Sequence, residues 1–143
     1  QKLQNAKVAI FGIGGVGSYV VEGLARAGVG KLTLVDDDVF ATSNVNRQLY
    51  ALQSTIGNPK VDVAKSRIAD INPNCQVDAR KVRFDGQSCG QFDFAQFDYV
   101  VDAIDTVTSK LLLAKLCFDA GTPIQPFFCK NCKNTKRPNN FLT

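Results

Sequence analysis

The chain has 143 residues, 45% of them apolar and 21% charged, enough for one domain with a real core and too few for two. Histidine, methionine and tryptophan are absent, which excludes Ser-His-Asp and Cys-His triads and imidazole metal sites within this chain. The net charge of +4 is local: all 13 acids lie within residues 1–120 beside an equal number of bases, and Lys130, Lys133, Lys136 and Arg137 supply the excess. A neutral body with a basic end reads as a solvated terminus rather than a nucleic-acid-binding face.

Five cysteines are an odd number without framework spacing. Cys75, Cys89 and Cys117 read as isolated thiols of a reducing compartment. No stretch approaches the roughly 18 apolar residues that cross a bilayer, and Gln1-Lys2-Leu3-Gln4 does not resemble a signal peptide. A cytoplasmic protein without membrane contact is expected.

In chain order, Val8-Ala9-Ile10-Phe11 reads as a buried strand running into a glycine cluster. Residues 15–28 show helical spacing, with Val16, Val20, Leu24 and Ala27 on one face and Gly28 as the stop. Lys31 to Val35 reads as a second strand closing on Asp36-Asp37-Asp38, followed by a polar irregular stretch from Ala41 to Gly57. Asn58 is expected to cap a second helix with Pro59 at its first position and Val61, Ala64, Ile68 and Ile71 as its buried stripe. A third strand is expected over Gln76 to Val82, loop or short helix over 85–97, and a fourth strand over Asp98 to Ile104. A helix from about Val107 to Ala120 ends at Gly121, and Pro123-Ile124 opens a possible fifth strand. Strands alternating with helices predict an α/β fold: a Rossmann-like, doubly wound, mostly parallel sheet with helices on both faces. Residues 1–124 are expected to form the packed domain, and residues 125–143, which lack periodicity, an irregular tail.

Gly12-Ile13-Gly14-Gly15-Val16-Gly17 fits the G-x-G-x-x-G pattern between a strand and a helix, and Asp36 ends the next strand 19 residues after Gly17. Gly12 permits the tight turn, Gly14 lets backbone approach a phosphate, and Gly17 lets the helix pack close. Helix-terminal N–H groups then face an anion. A dehydrogenase and an ATP user both satisfy this pattern, and Asp36 can hold a ribose hydroxyl in either.

Three charged residues separate the two. Lys60 lies in the first turn of a helix, where a cation opposes the macrodipole at a cost of roughly 0.3–1 kcal/mol. A bound anion would remove that conflict. Arg47 stands in the polar run Ser43-Asn44-Val45-Asn46-Arg47-Gln48 with a planar fork suited to phosphate oxygens. Asp105 follows the fourth strand at the carboxyl edge of the sheet, where it can cap the next helix or hold Mg²⁺ against a triphosphate. Two cations and a carboxylate at one sheet edge favour ATP over a nicotinamide, because displacement at phosphorus needs its charge neutralised.

These residues together resemble one superfamily. Gly12-Ile-Gly-Gly-Val-Gly-Ser18, Leu34-Val-Asp-Asp-Asp38, Ser43-Asn-Val-Asn-Arg-Gln48, Gly57-Asn-Pro-Lys60 and Asp102-Ala-Ile-Asp105 are similar, in order and spacing, to the adenylating domain of the ThiF/MoeB/HesA and ubiquitin-activating enzymes. Asn46 to Leu52, Ile71-Asn72-Pro73 and Asp102 to Val107 look most like the branch of the tRNA threonylcarbamoyladenosine dehydratases. The resemblance implies that Gly12, Gly14, Gly15 and Gly17 line the nucleotide pocket and that Asp36 binds the ribose. It implies that Asn44, Arg47 and Lys60 contact the phosphates, that Arg47, Lys60 and Asp105 serve the reaction, and that Asp105 holds Mg²⁺. It further implies attack of a substrate carboxylate on the α-phosphorus of ATP, giving an acyl-adenylate. In the dehydratase branch that carboxylate belongs to a modified adenosine in tRNA. In the alternative branches it is the C-terminus of a ubiquitin-like sulfur-carrier protein.

A homodimer is also implied. The family has an amino-terminal arm carrying an arginine and a substrate-docking continuation, neither of which is matched here. A partial adenylating domain is therefore expected, and a nucleotide-binding module inactive without those flanks is a third reading. Cys129-x-x-Cys132 supplies half a tetrahedral zinc site and no histidine to complete it, so two free thiols are expected there.

Overall fold

The computed structural model describes residues 1–128. The Cys129/Cys132 pair and the basic tail residues lie outside the described residues. A single helical turn, α1 (Lys2–Asn5), precedes β1 (Lys7–Phe11), α2 (Gly17–Ala27) and β2 (Lys31–Val35). A long connection leads to α3 (Lys60–Ile71) and β3 (Gln76–Arg80), and a second one to β4 (Tyr99–Asp102), α4 (Val107–Ala120) and β5 (Ile124–Pro126). Among the described residues the five strands pair in parallel in the order β3-β2-β1-β4-β5, and one isolated antiparallel bridge joins Val39 to Pro59. The expected Rossmann-like sheet is present.

Burial explains the order. β1 is covered on both faces and reads apolar from Val8 to Phe11, whereas edge strand β3 alternates with Asp78 and Arg80. The chain leaves β1 towards β2 on one side and returns to β4 on the other. The strand order therefore reverses at β1, and a crevice opens at the carboxyl ends of β1 and β4. Phe11 pairs with Val35 and with Asp102, so Gly12, Asp36 and Ala103 emerge side by side at that rim.

One face of the sheet packs against α2 and α3 through Ile10, Leu32, Leu34, Val21, Val61, Ala64 and Ile68. The other packs against α4 and a phenylalanine cluster: the Phe11 ring lies 4.9 Å from Phe84, 5.3 Å from Phe92 and 5.9 Å from Phe94. The connection between β3 and β4, expected as loop or short helix, contains two single 3₁₀ turns and packs these rings against one sheet face. Its composition looks solvated because the aromatics are spaced irregularly among Gly, Gln and Asp.

Several expectations shift. The inward stripe of α2 is Gly17, Ser18, Val21 and Ala25; Val16 and Ala27 are exposed, and Val20 and Leu24 are partly buried. The cause is Gly17, where a Cβ would lie 1.8 Å from the Gly12 carbonyl oxygen. That close approach turns the 17/21/25 face inward. α3 starts one residue later than expected, with Pro59 as N-cap, because Asn58 is used in backbone pairing with Phe40. β3 ends at Arg80 and β4 at Asp102, both two residues short of expectation. The α4 boundaries and its Gly121 stop, with φ +69°, are as expected.

Candidate functional site

A cleft of 490 Å³ opens at the carboxyl rim, within the size range of small-molecule sites. Gly12, Gly14, Gly15, Asp36, Arg47, Lys60 and Asp105 all line it. Two residues singled out from the sequence do not. Gly17 lies beneath the turn as a packing glycine, and Asn44 accepts the Ala41 N–H at 2.9 Å within a 3₁₀ turn.

The glycines divide by what surrounds them. Gly12 has φ +95°, and a Cβ there would meet the Ala103 carbonyl oxygen at 2.6 Å. Gly12 and Gly17 are thus required by the fold itself. Gly14 and Gly15 are not: the nearest atoms to a Cβ would be Gln48 Nε2 at 3.7 Å and the Arg47 carbonyl oxygen at 4.0 Å. Their missing side chains leave the cleft open rather than permit packing. No side chain caps the N-terminus of α2 that starts there.

Asp36 holds the turn from the neighbouring strand. Its carboxylate accepts the Ile13 N–H at 2.7 Å and the Asp38 N–H at 2.8 Å. Burial pushes this carboxyl above its usual range, against the two N–H groups that favour the charged form. Ser18 links the turn to the long connection, donating to the Gly14 carbonyl at 2.6 Å and accepting the Leu49 N–H at 3.3 Å. Arg47 is thereby held beside the glycines, its guanidinium donating to the Ser43 carbonyl and to Asn46 Oδ1.

Lys60 is only 5% exposed, which a solvated lysine at a helix start would not be. Its ammonium lies 3.5 Å from Asp38 Oδ2 and 5.7 Å from the centre of the Phe40 ring. Asp38 is largely in solvent, so the cation is presented at the cleft with a partner that water screens. Asp36, Asp37 and Asp38 bring their carboxylates within 4.8 Å of one another. Asp105 is exposed on the opposite side of the opening, beside Thr106, whose hydroxyl lies 3.4 Å from Asp105 Oδ1.

Gln48 was not singled out in the sequence, although it follows Arg47 directly. It is 7% exposed, lines the cleft beside Gly14, and its Oε1 is buried without a hydrogen-bond donor. A buried orphan acceptor is uncommon and fits a ligand that supplies the partner. Asp102 and Lys110, an ion pair of 3.0 Å just beneath the rim, were missed because strand periodicity makes Asp102 look like an exposed end.

The fold and cleft define a doubly wound α/β domain with an open cleft at its switch point, where ligands of this fold class bind. A sequence profile of the ThiF family matches residues 1–126, and the chain belongs to that family. It is 50% identical over 124 residues to the tRNA threonylcarbamoyladenosine dehydratase of Bacillus subtilis, covering 87% of this chain and 49% of that protein. Over the same share of both chains it is 35% identical to the molybdopterin-synthase adenylyltransferase of Salmonella typhimurium. The crystal structure of the Escherichia coli dehydratase, TcdA, in complex with ATP superposes with a TM-score of 0.85 at 37% identity, covering 88% of this chain and 52% of that one. The chain spans about half the length of these relatives.

Proposed function

We propose that this chain is the nucleotide-binding half of an ATP-dependent adenylating enzyme acting on the carboxylate of threonylcarbamoyladenosine in tRNA. The observation that carries the reading is the convergence of Arg47, Lys60, Asp36 and Asp105 on the cleft beneath Gly14 and Gly15. The roles follow from position. Gly14, Gly15 and the start of α2 receive phosphate oxygens, and Asp36, already fixed by Ile13, takes a ribose hydroxyl. Gln48 Oε1 accepts a hydrogen bond from the ligand. Asn44 acts from one shell further out, shaping the turn that carries Arg47.

In the reaction, the substrate carboxylate oxygen bonds to the α-phosphorus as the bond to pyrophosphate breaks. Arg47 and Lys60 oppose the negative charge that grows on the phosphoryl oxygens and the departing group. The exposed Asp105 is placed to hold Mg²⁺, with the acidic cluster at 36–38 across the cleft; when bound, the ion would offset phosphate charge. Residues 1–124, with the end of β5 and Phe127 that complete the sheet and the cleft, form this nucleotide-binding unit, and a homodimer is the assembly we propose.

The choice of substrate rests on identity: 50% to a tRNA dehydratase against 35% to a carrier-protein adenylyltransferase. Calorimetric ATP titration and pyrophosphate exchange test both levels. ATP affinity is expected to fall at least tenfold in Arg47→Ala and Asp105→Ala, and binding unchanged in both would refute the site. Exchange stimulated by threonylcarbamoyladenosine-containing tRNA supports the dehydratase reading. Exchange that needs a ubiquitin-like carrier instead selects the other branch.

A further inference from the structure

A buried ion pair underlies the cleft without lining it. Asp102, the last residue of β4, is 1% exposed, and Lys110, one turn into α4, is 6% exposed. The two carboxylate oxygens of Asp102 have separate partners: Oδ1 accepts the Ile104 N–H at 3.0 Å, and Oδ2 lies 3.0 Å from Lys110 Nζ. The same ammonium donates to the Phe127 carbonyl, while the Phe127 N–H donates to the Asp102 backbone carbonyl at 2.8 Å. Both Ile104 and Phe127 line the cleft. Two opposite charges therefore tie together the end of β4, the loop carrying Asp105, the first turns of α4 and the exit of β5.

Such a pair is an expensive way to gain stability, since apolar residues of similar volume serve a core as well or better. Its value lies in direction. A carboxylate with two fixed partners orients the 103–106 loop, and an ammonium bridging to Phe127 fixes the adjoining wall, where the exit of β5 runs beside the end of β4. We propose that Asp102 and Lys110 are a positioning pair that sets the Asp105 loop against the Phe127 wall of the cleft. The proposal rests on the adenylating reading only for the ligand that Asp105 meets; the mechanical part stands on geometry alone.

Two measurements on the full chain test it. The double variant Asp102→Leu/Lys110→Met removes both charges, so no lone charge is left buried, and is expected to fold. Amide hydrogen exchange at Ile104 and Phe127 is expected to quicken at least tenfold in it, with β1 and β2 amides unchanged. ATP affinity is then compared in Mg²⁺ and in EDTA. The gain in affinity that Mg²⁺ confers on the unaltered protein is expected to shrink about tenfold in the double variant, while affinity in EDTA stays the same. Asp98→Ala, which removes the acceptor of the Lys7 N–H at the far end of the sheet, is expected to leave that gain intact. Unchanged exchange at Ile104 and Phe127 in the folded double variant overturns the positioning role. An unaltered protein that binds no ATP in either condition refutes the adenylating reading instead. A double variant that unfolds while Asp98→Ala does not would show the pair to be structural and overturn the proposal.

Discussion

Asp36 Oδ2 accepts the backbone N–H of Ile13 at 2.7 Å, so the end of β2 pins the glycine turn that follows β1. The bond spans two parallel strands and fixes the turn before any ligand arrives, which limits what ordering costs on binding. Replacing Asp36 by alanine removes the acceptor for both Ile13 and Asp38. The expected loss is about 1–3 kcal/mol in urea unfolding, the usual range for a part-buried donor left without its partner. Asp36→Asn retains one acceptor oxygen and is expected to recover part of the stability but not the ribose contact.

The glycines of the turn are expected to separate cleanly in mutagenesis. Gly17→Ala places a methyl group 1.8 Å from the Gly12 carbonyl oxygen, so α2 must move away from the sheet. The expected cost is several kcal/mol, seen as a collapse of the thermal transition or insoluble expression. Gly14→Ala meets nothing closer than 3.7 Å and is expected to fold with near-normal stability. Its methyl group fills space that a phosphate oxygen would use, so ATP affinity is expected to drop at least tenfold. Two alanines three residues apart would thus report fold and binding respectively.

That contrast also measures how much was legible in the sequence. The glycine pattern located the turn, and the β2-terminal aspartate located its anchor, because both obey spacing rules local to one βαβ unit. Arg47 and Lys60 come from the stretch between β2 and the start of α3 and Asp105 from the loop after β4, and the alternation of strands and helices sets all three at the carboxyl edge of the sheet. Lys60 was placed correctly, yet its burial was not foreseeable, because Phe40 and Asp38 reach it across a loop of 20 residues with no periodicity. The phenylalanine cluster was hidden for the same reason: Phe84, Phe92, Phe94 and Phe97 follow neither helical nor strand spacing. The Asp102–Lys110 pair joins a strand end to a helix interior, a relationship that only the register of α4 on the sheet reveals.

Glu22 gives a pH-dependent prediction outside the cleft. It joins α2 to α3 and to the long connection, accepting from Arg26, Arg67 and the Tyr50 hydroxyl at 2.9 Å each. The Arg67 guanidinium, aided by Tyr50 and Arg26, holds its carboxyl down from 4.5 to about 2 against the opposing effect of burial. The folded value lies below the unfolded one, so this contribution is fully present above 4.5 and is lost as pH falls towards 2. Both guanidinia are about half in solvent, which screens the pair and reduces its worth to roughly 1–2 kcal/mol. Urea unfolding is expected to show Glu22→Gln less stable than the unaltered protein by that amount at neutral pH. The gap closes on acidification, and a constant gap from pH 7 to 2 would refute the assignment.

Thiol chemistry is expected to rank by burial. Cys117 is wholly inaccessible, and burial, with the Asp102 charge nearby, pushes its thiol up to about 11. Cys75 and Cys89 are partly exposed. A maleimide at neutral pH is expected to modify Cys75 and Cys89 in the folded chain and to reach Cys117 only on unfolding. Mass spectrometry after tryptic digestion reads the order, and early labelling of Cys117 would show that α4 lifts from the sheet.

Lys60 offers the sharpest test of chemistry against stability. Its stem is buried, and the carboxylate it pairs with, Asp38, is mostly in water, so the ion pair stabilises the fold weakly. Lys60→Met keeps the apolar stem over the Phe40 ring and removes the charge, which relieves a desolvation cost as well as losing the attraction. Stability is therefore expected to change by no more than about 1 kcal/mol in either direction. On the proposed adenylating reading the loss falls on the reaction: without a fixed cation beside the phosphates, adenylation is expected to slow by about a hundredfold or more, the scale seen when one preorganised charge-stabilising donor is removed. Lys60→Arg is not expected to rescue it fully, because the longer planar guanidinium cannot put its charge where the compact ammonium lies, 3.5 Å from Asp38 and 5.7 Å from the Phe40 ring. A Met variant that melts normally and adenylates normally would leave the buried cation without a purpose.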